Sequence, residues 1–318
     1  MTVSPPWIAH DWRAARRRGP TALAIGNFDG VHLGHRALLD KVIHAARAFG
    51  GESVARTFEP HPTRVVRPDR APPMLTGLDR RVELLSETGV DAVVVQRFDL
   101  AMAALSPEEF VRRVVVGLGA REVHVGADFH FGHDRAGTPD TLRALGVSLG
   151  FTAHTVEGVR EGEANISSSR VRAALSDGDL GLAARLLGRP FDLDGVVVHG
   201  DHRGRTLGFP TANLATPCEA PPRDGVYAVR AQTLSPDGAG PWRDGVMNIG
   251  SRPTMNAGRS LEAHLLDLDE DLYGRTLRVR FVARLRDEQR FASIEELRRQ
   301  IERDVASARA ALSSETPA

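Results

Sequence analysis

Between residues 21 and 126, short apolar runs alternate with amphipathic stretches, and that rhythm is replaced by another after about residue 187. The runs are TALAIG at 21–26, ESVARTF at 52–58, DAVVVQ at 91–96 and EVHVG at 122–126. Helical patterns at 35–49, 77–88 and 107–116 lie between them. The third opens on Ser106 as N-cap, Pro107 at the first helical position and Glu109 placed to complete a capping box. Strands that alternate with helices predict βαβ units and a parallel, doubly wound α/β sheet. In such sheets ligands bind beyond the carboxyl ends of the strands.

From GRPFDLDGVVVHG onward the segments are short, alternating and separated by Gly, Pro and Asp: GVVVHG, DGVYAVRA, WRDGVMNIG, SLEAHLLDL and RTLRVRFVARL. This pattern predicts a small antiparallel barrel or sandwich. A charged helix, SIEELRRQIERDVASARAAL, follows, with Ser293 and Glu296 as a second capping box. The expected organisation is an α/β domain at 1–187, a β domain at 188–312 and a disordered tail, SSETPA, at 313–318. A chain of 318 residues is long enough for two such cores.

Lys+Arg and Asp+Glu each number 41, and this balance argues against general binding to nucleic acid or an anionic membrane. One cysteine, Cys218, excludes an internal disulfide and suits a reducing compartment. No signal-like segment opens the chain, and no apolar run approaches the roughly 18 residues of a membrane span. The expected location is cytoplasmic. Protein partners and oligomeric state stay open, a homo-oligomer included. Lys41 is the single lysine, so any phosphate chemistry must rely on arginine, histidine and backbone N–H groups.

The stretch GNFDGVHLGH, Gly26 to His35, lies where the first strand hands over to a helix. His32 and His35 are three apart, so both rings can face one side at a helix start. Gly34 admits a ligand close to the backbone, and the free N–H groups of a helix N-terminus suit a phosphate. Zinc would need a third ligand, and H-E-x-x-H is absent. Taken alone, the pair also fits a solvated turn. A second segment, NISSSRVRAAL, sets Ser167, Ser168 and Ser169 at a helix start with Arg172 one turn on. Hydroxyls and a guanidinium there suit phosphate oxygens, although a routine serine cap has the same sequence.

Together, H-x-G-H after the first strand and a late I-S-S-[ST]-x-x-R resemble the nucleotidyltransferase superfamily. TFEPHP and VGADFHFGHDRAG narrow that resemblance to the FMN adenylyltransferase modules of bacterial FAD synthetases. It implies that His32 and His35 meet the α-phosphate of ATP, with Ser167, Ser168, Ser169 and Arg172 serving the other phosphates. Gly26 and Asn27 would shape the loop or contact phosphate, and Asp128 would lie beside the flavin phosphate or metal. Ser169 stands where threonine is usual, and Asp128 where some relatives carry asparagine.

In the second half, GDHRGRTLGFPTANL begins at Gly200 with a Gly-rich turn that can cradle phosphate, and no P-loop occurs. Thr211 and Asn213 alternate on an extended segment, so a hydroxyl and an amide oxygen share one side and suit Mg²⁺. Glu262 can act as a general base or be an ordinary solvated strand glutamate. LGFPTANL, GVYAV, NIGSRPT, LEAHLLDLDEDLYG and RLRDEQRF, in that order, resemble the riboflavin kinase domain. That resemblance implies a compact β-barrel, with Thr211 and Asn213 holding Mg-ATP and Glu262 activating the riboflavin hydroxyl. Arg286 and Phe291 would frame the flavin ring. The implied substrates are riboflavin, FMN and ATP, with FMN and FAD as products. The alternatives are a kinase beside a retuned nucleotidyltransferase module, or a non-catalytic flavin-binding regulator.

Overall fold

The computed structural model describes residues 6–10, 19–200, 208–251, 259–268 and 270–314, which fall into two compact units. The first unit, Met1–Pro73 with Leu78–Ser168, is built on a parallel sheet. Its strands are β1 (Trp7–Ala9), β2 (Thr21–Ile25), β3 (Glu52–Glu59), β4 (Ala92–Arg97), β5 (Ala120–Gly126) and β6 (Thr152–Val156), in the order β1-β4-β3-β2-β5-β6. The edge strands β1 and β6 were not among the expected runs, because TAHTV is polar and half solvated.

Period-two alternation sends Leu23, Ile25, Val54, Val94, Val123 and Val125 to one core, and Ala22, Ala24, Ala55, Val93 and Val95 to the other. The first core is covered by α5 (Pro107–Val114) and α6 (Pro139–Leu149), and also receives Met102 of the short α4 (Leu100–Ala103). The second is covered by α1 (Leu33–Phe49) and α3 (Leu78–Ser86); the short α2 (Pro62–Val66) buries no residue. α1 is a helix because Leu38, Leu39, Val42, Ile43 and Ala46 recur on one buried stripe, and Gly50 ends it with φ 68°. The Ser106–Glu109 capping box forms reciprocally, as the sequence predicts. β7 (Arg160–Glu161) and β8 (Ala164–Asn165) form a small hairpin before α7 (Ser168–Asp177).

The second unit, Met74–Gly77 with Ser169–Ala318, contains β9 (Asp192–Val198), β10 (Ala212–Ala215), β11 (Gly225–Ser235), β12 (Gly238–Ala239), β13 (Arg243–Ser251), β14 (Arg259–Leu265) and β15 (Thr276–Arg286). Antiparallel pairing runs β11-β13-β14-β10-β9-β15, and β11 pairs with β15 to close a barrel. Closure decides between the barrel and the sandwich that the sequence left open, and removes the sheet edges. α9 (Ile294–Ser313) seals it, packing Ala308 and Leu312 on Val226, Ala228 and Val246. Ser293 caps that helix, but the Glu296 carboxylate accepts from the Ala292 N–H, so the second capping box is only half formed. Ser313 is helical, and residues 315–318 of the expected tail lie outside the described residues.

The compact units divide at Ser168/Ser169. The cause is local packing: Arg223 N–H donates to the Leu175 carbonyl, and α8 (Leu180–Leu187) lies against β15. Arg286 fixes β15 to α9 through a two-pronged pair with Asp304, at 2.9 and 2.7 Å, with the Asp304 side chain 6% exposed.

Removing one partner of such a buried pair costs about 3–5 kcal/mol, whereas an apolar pair of similar volume is often neutral. Asp304→Ala should lower the denaturant stability of the second unit by about 3 kcal/mol. The double variant Arg286→Met, Asp304→Leu should regain most of it, as read by circular dichroism in urea.

Candidate active sites

Sheet order reverses between β2 and β5, so the loops leaving these two neighbouring parallel strands flank the switch point. Residues 26–32 leave β2. Phe28 and Val31 have φ of 51° and 42°, yet both side chains are fully buried. A left-handed valine is a rare conformation, held only where the surroundings over-determine it. The Asn27 carbonyl accepts from Thr57 Oγ1 at 3.0 Å and from Arg81 Nη1 at 3.3 Å. Arg81 is fully buried and also pairs with Glu59. The Asn27 amide nitrogen lies 3.0 Å from His61 Nε2, and Gly26 N–H donates to the Arg56 carbonyl at 3.1 Å.

His32 caps α1: its Nδ1 accepts from the His35 backbone N–H at 3.3 Å, which leaves the proton of the neutral ring on Nε2. The two imidazoles stack with centroids 3.6 Å apart, and Phe28 meets His35 edge-on at 5.2 Å. Burial, followed by the neighbouring His32, holds His35 well below its ordinary value of 6.5. His35 Nδ1 is buried with no hydrogen-bond partner among the described residues. An orphaned buried nitrogen at a helix start is chemistry that an anionic ligand completes. Gly34 matters sterically, because a Cβ there would lie 3.1 Å from His32 Cε1.

Ser168 Oγ donates to the Asp29 carbonyl at 2.9 Å, so Ser168 meets the histidine loop. Ser167 precedes it; Ser169 and Arg172 continue α7 and belong to the second unit. Asp128 is exposed in the loop after β5, at the carboxyl end of the strand beside β2.

In the barrel, Asn213 pairs in register with Glu262, which pairs in turn with Asn248. Directly opposed residues share a face, so Asn213, Glu262 and Asn248 form one polar row across β10, β14 and β13. Ser260, two residues before Glu262, donates its hydroxyl to Glu262 Oε1 at 2.8 Å. Thr211 immediately precedes β10, on the Asn213 side. Gly200 closes over Asn213: a Cβ there would lie 2.2 Å from its amide nitrogen. That close wall and a hydroxyl–amide oxygen set fit a hard cation such as Mg²⁺. Residues 201–207 of the Gly-rich turn lie outside the described residues. Arg286 directs its fork at Asp304 and keeps its guanidinium 5.8 Å from the Phe291 ring centre.

Sequence reasoning did not single out Thr57, His61, Arg81, Asn248 or Ser260. Thr57 and His61 lay within TFEPHP, and Ser260 stands two before Glu262, so all three had a local signal. Arg81 had none, since burial is a tertiary fact; Asn248 opens NIGSRPT, but its register against Glu262 is likewise a tertiary fact.

A family model for FAD synthetase matches residues 15–170, and one for riboflavin kinase matches residues 187–312. A bifunctional riboflavin kinase/FMN adenylyltransferase from Escherichia coli (strain K12) is 44% identical, covering 94% of this chain and 95% of the relative. Proteins of that description from Pseudomonas fluorescens and Bacillus subtilis (strain 168) are 45% and 37% identical, over 90% and 89% of this chain and 91% and 90% of theirs. A crystal structure described as a macrolide-efflux protein from Streptococcus pneumoniae superposes with a TM-score of 0.82 at 28% identity, covering 96% of this chain and 99% of that one. Among the described residues, no helix is long and apolar enough to cross a membrane.

The unfolded chain takes up a proton at His35 near 6.5, whereas the folded chain holds the ring neutral to lower pH. Stability from this group is therefore complete above its unfolded value and is lost as pH falls below it. The unfolding free energy from urea titrations should drop between about pH 7 and 5, by up to about 1.4 kcal/mol per pH unit for one proton, and drop less in His35→Gln. His124 shifts in the same direction, mainly through burial, and is unchanged in that variant. Equal slopes in the two proteins would contradict a neutral, buried His35.

Proposed function

This chain belongs to the bifunctional riboflavin kinase/FMN adenylyltransferase family, and from that premise we propose how its residues divide the two reactions. The riboflavin kinase domain makes FMN from riboflavin and ATP; the adenylyltransferase domain makes FAD and pyrophosphate from FMN and ATP. The register of Asn213 against Glu262 carries the kinase assignment, because it brings a metal-binding motif and a base to one face.

In the kinase reaction Glu262 takes the proton of the riboflavin 5′-hydroxyl. That oxygen attacks the γ-phosphorus of ATP as the bond to ADP breaks. Ser260 orients the carboxylate, and Gly200, Thr211 and Asn213 receive the phosphates. Mg²⁺ bound with ATP would be held by Thr211 and Asn213 and would neutralise phosphate charge. Phe291 frames the flavin ring, and Arg286, anchored on Asp304, supports Phe291.

In the second reaction a phosphate oxygen of FMN attacks the α-phosphorus of ATP, and pyrophosphate leaves without a covalent enzyme intermediate. His32 donates from Nε2 to the α-phosphate beside His35, at the positive end of α1. Gly26 and Asn27 set the loop, Ser167 and Ser168 serve the β- and γ-phosphates, and Asp128 attends the flavin phosphate. The cytoplasm is the expected compartment for both steps.

With riboflavin, ATP and Mg²⁺, chromatography should show FMN first and FAD after it; chelation should stop both. Glu262→Gln should slow FMN formation by about 10²–10⁴-fold yet still convert supplied FMN to FAD. His32→Ala should do the reverse, slowing adenylyl transfer by about 10²–10³-fold. Normal FAD formation by His32→Ala would remove the phosphate role of the histidine pair. Gly34→Ala, which crowds the His32 ring, should impair the same step and spare the kinase.

A further inference from the structure

Away from the phosphate loop, the first unit holds a second convergence of imidazoles. Glu122 and His124 are two apart on β5 and so share a face, and His154 on β6 is the register partner of His124. Val123 and Val125 point into the opposite core, which puts the trio on the face that carries α1. Glu122 Oε2 lies 3.3 Å from His124 Nε2 and 3.4 Å from His154 Nε2. The three ligand atoms all fall within 4.8 Å of one another, and the rings stack with centroids 4.7 Å apart.

Metal bonds of about 2.1 Å in a tetrahedral site set neighbouring ligand atoms about 3.4 Å apart. Two of the three separations already have that value, and both involve the same carboxylate oxygen. Imidazole nitrogens select zinc-class cations, whereas Mg²⁺ selects oxygen, so the Mg²⁺ of ATP is the wrong ion for this cluster. Lys41, on α1, is the cation facing the cluster; it is exposed and therefore screened by solvent.

We propose that Glu122, His124 and His154 bind one zinc-class divalent cation, with water completing the coordination, and thereby clip the edge strand β6 to β5. His154 is 43% exposed, which leaves a path for the ion from solvent. The zinc reading that His32 and His35 could not sustain for want of a third ligand is met at this trio.

The test uses the full chain, stripped with a chelator and titrated with CoCl₂ in excess Mg²⁺, with the visible bands of tetrahedral Co²⁺ as the readout. The expected result is one equivalent bound, displaced by ZnCl₂, with a higher thermal midpoint in Zn²⁺. His154→Ala should weaken Co²⁺ by at least about tenfold and abolish the thermal gain. Glu122→Gln gives the second variant should His154→Ala fold poorly by circular dichroism. The double variant His32→Ala, His35→Ala should bind Co²⁺ as the parent does. Saturation lost in that double variant and kept in His154→Ala would assign the ion to the phosphate loop and overturn the proposal. So would a parent protein that shows no saturable Co²⁺ band.

Discussion

The turn from β2 into α1 is a backbone that the chain would not adopt unaided. Phe28 and Val31 sit at positive φ with fully buried side chains, and each such residue costs about 1–3 kcal/mol. The turn persists because the Asn27 carbonyl is held by Thr57 and by the buried Arg81, which Glu59 neutralises. From that one fixed loop follow the cap that His32 makes on α1, the stacked imidazoles and the contact of Ser168 with Asp29. Under the proposed phosphate role, strain at this point preorganises the site, so little reorganisation is left for the bound state.

The second unit meets the same requirement by pairing instead of by strain. Antiparallel register sets Asn213, Glu262 and Asn248 in a row, and barrel closure through β11 and β15 fixes that register. A slip of one residue would turn every one of these side chains to the other face. The hydroxyl of Ser260 then holds the carboxylate at a definite rotation.

Two pairs of histidines in one unit thus receive different assignments from the same physics. His32 and His35 sit at a helix start, and the Nδ1 of His35 is buried and orphaned there, which favours an anion. His124 and His154 share the carboxylate oxygen of Glu122, which favours a cation.

The alternation of runs and helices up to residue 126, and the turn-separated β segments after 187, carried the fold class and the order of the two domains. Local chemistry pointed to the candidate sites too, because glycine spacing, the helix-start serines and the Thr-x-Asn alternation are written in neighbouring residues. The unit boundary at Ser168, the closed barrel, the burial of Arg81 and the pairing of His124 with His154 were not legible. Each depends on which distant segment packs against which. A sequence specifies its local periods directly, whereas register and burial arise only when separated strands compete for the same core.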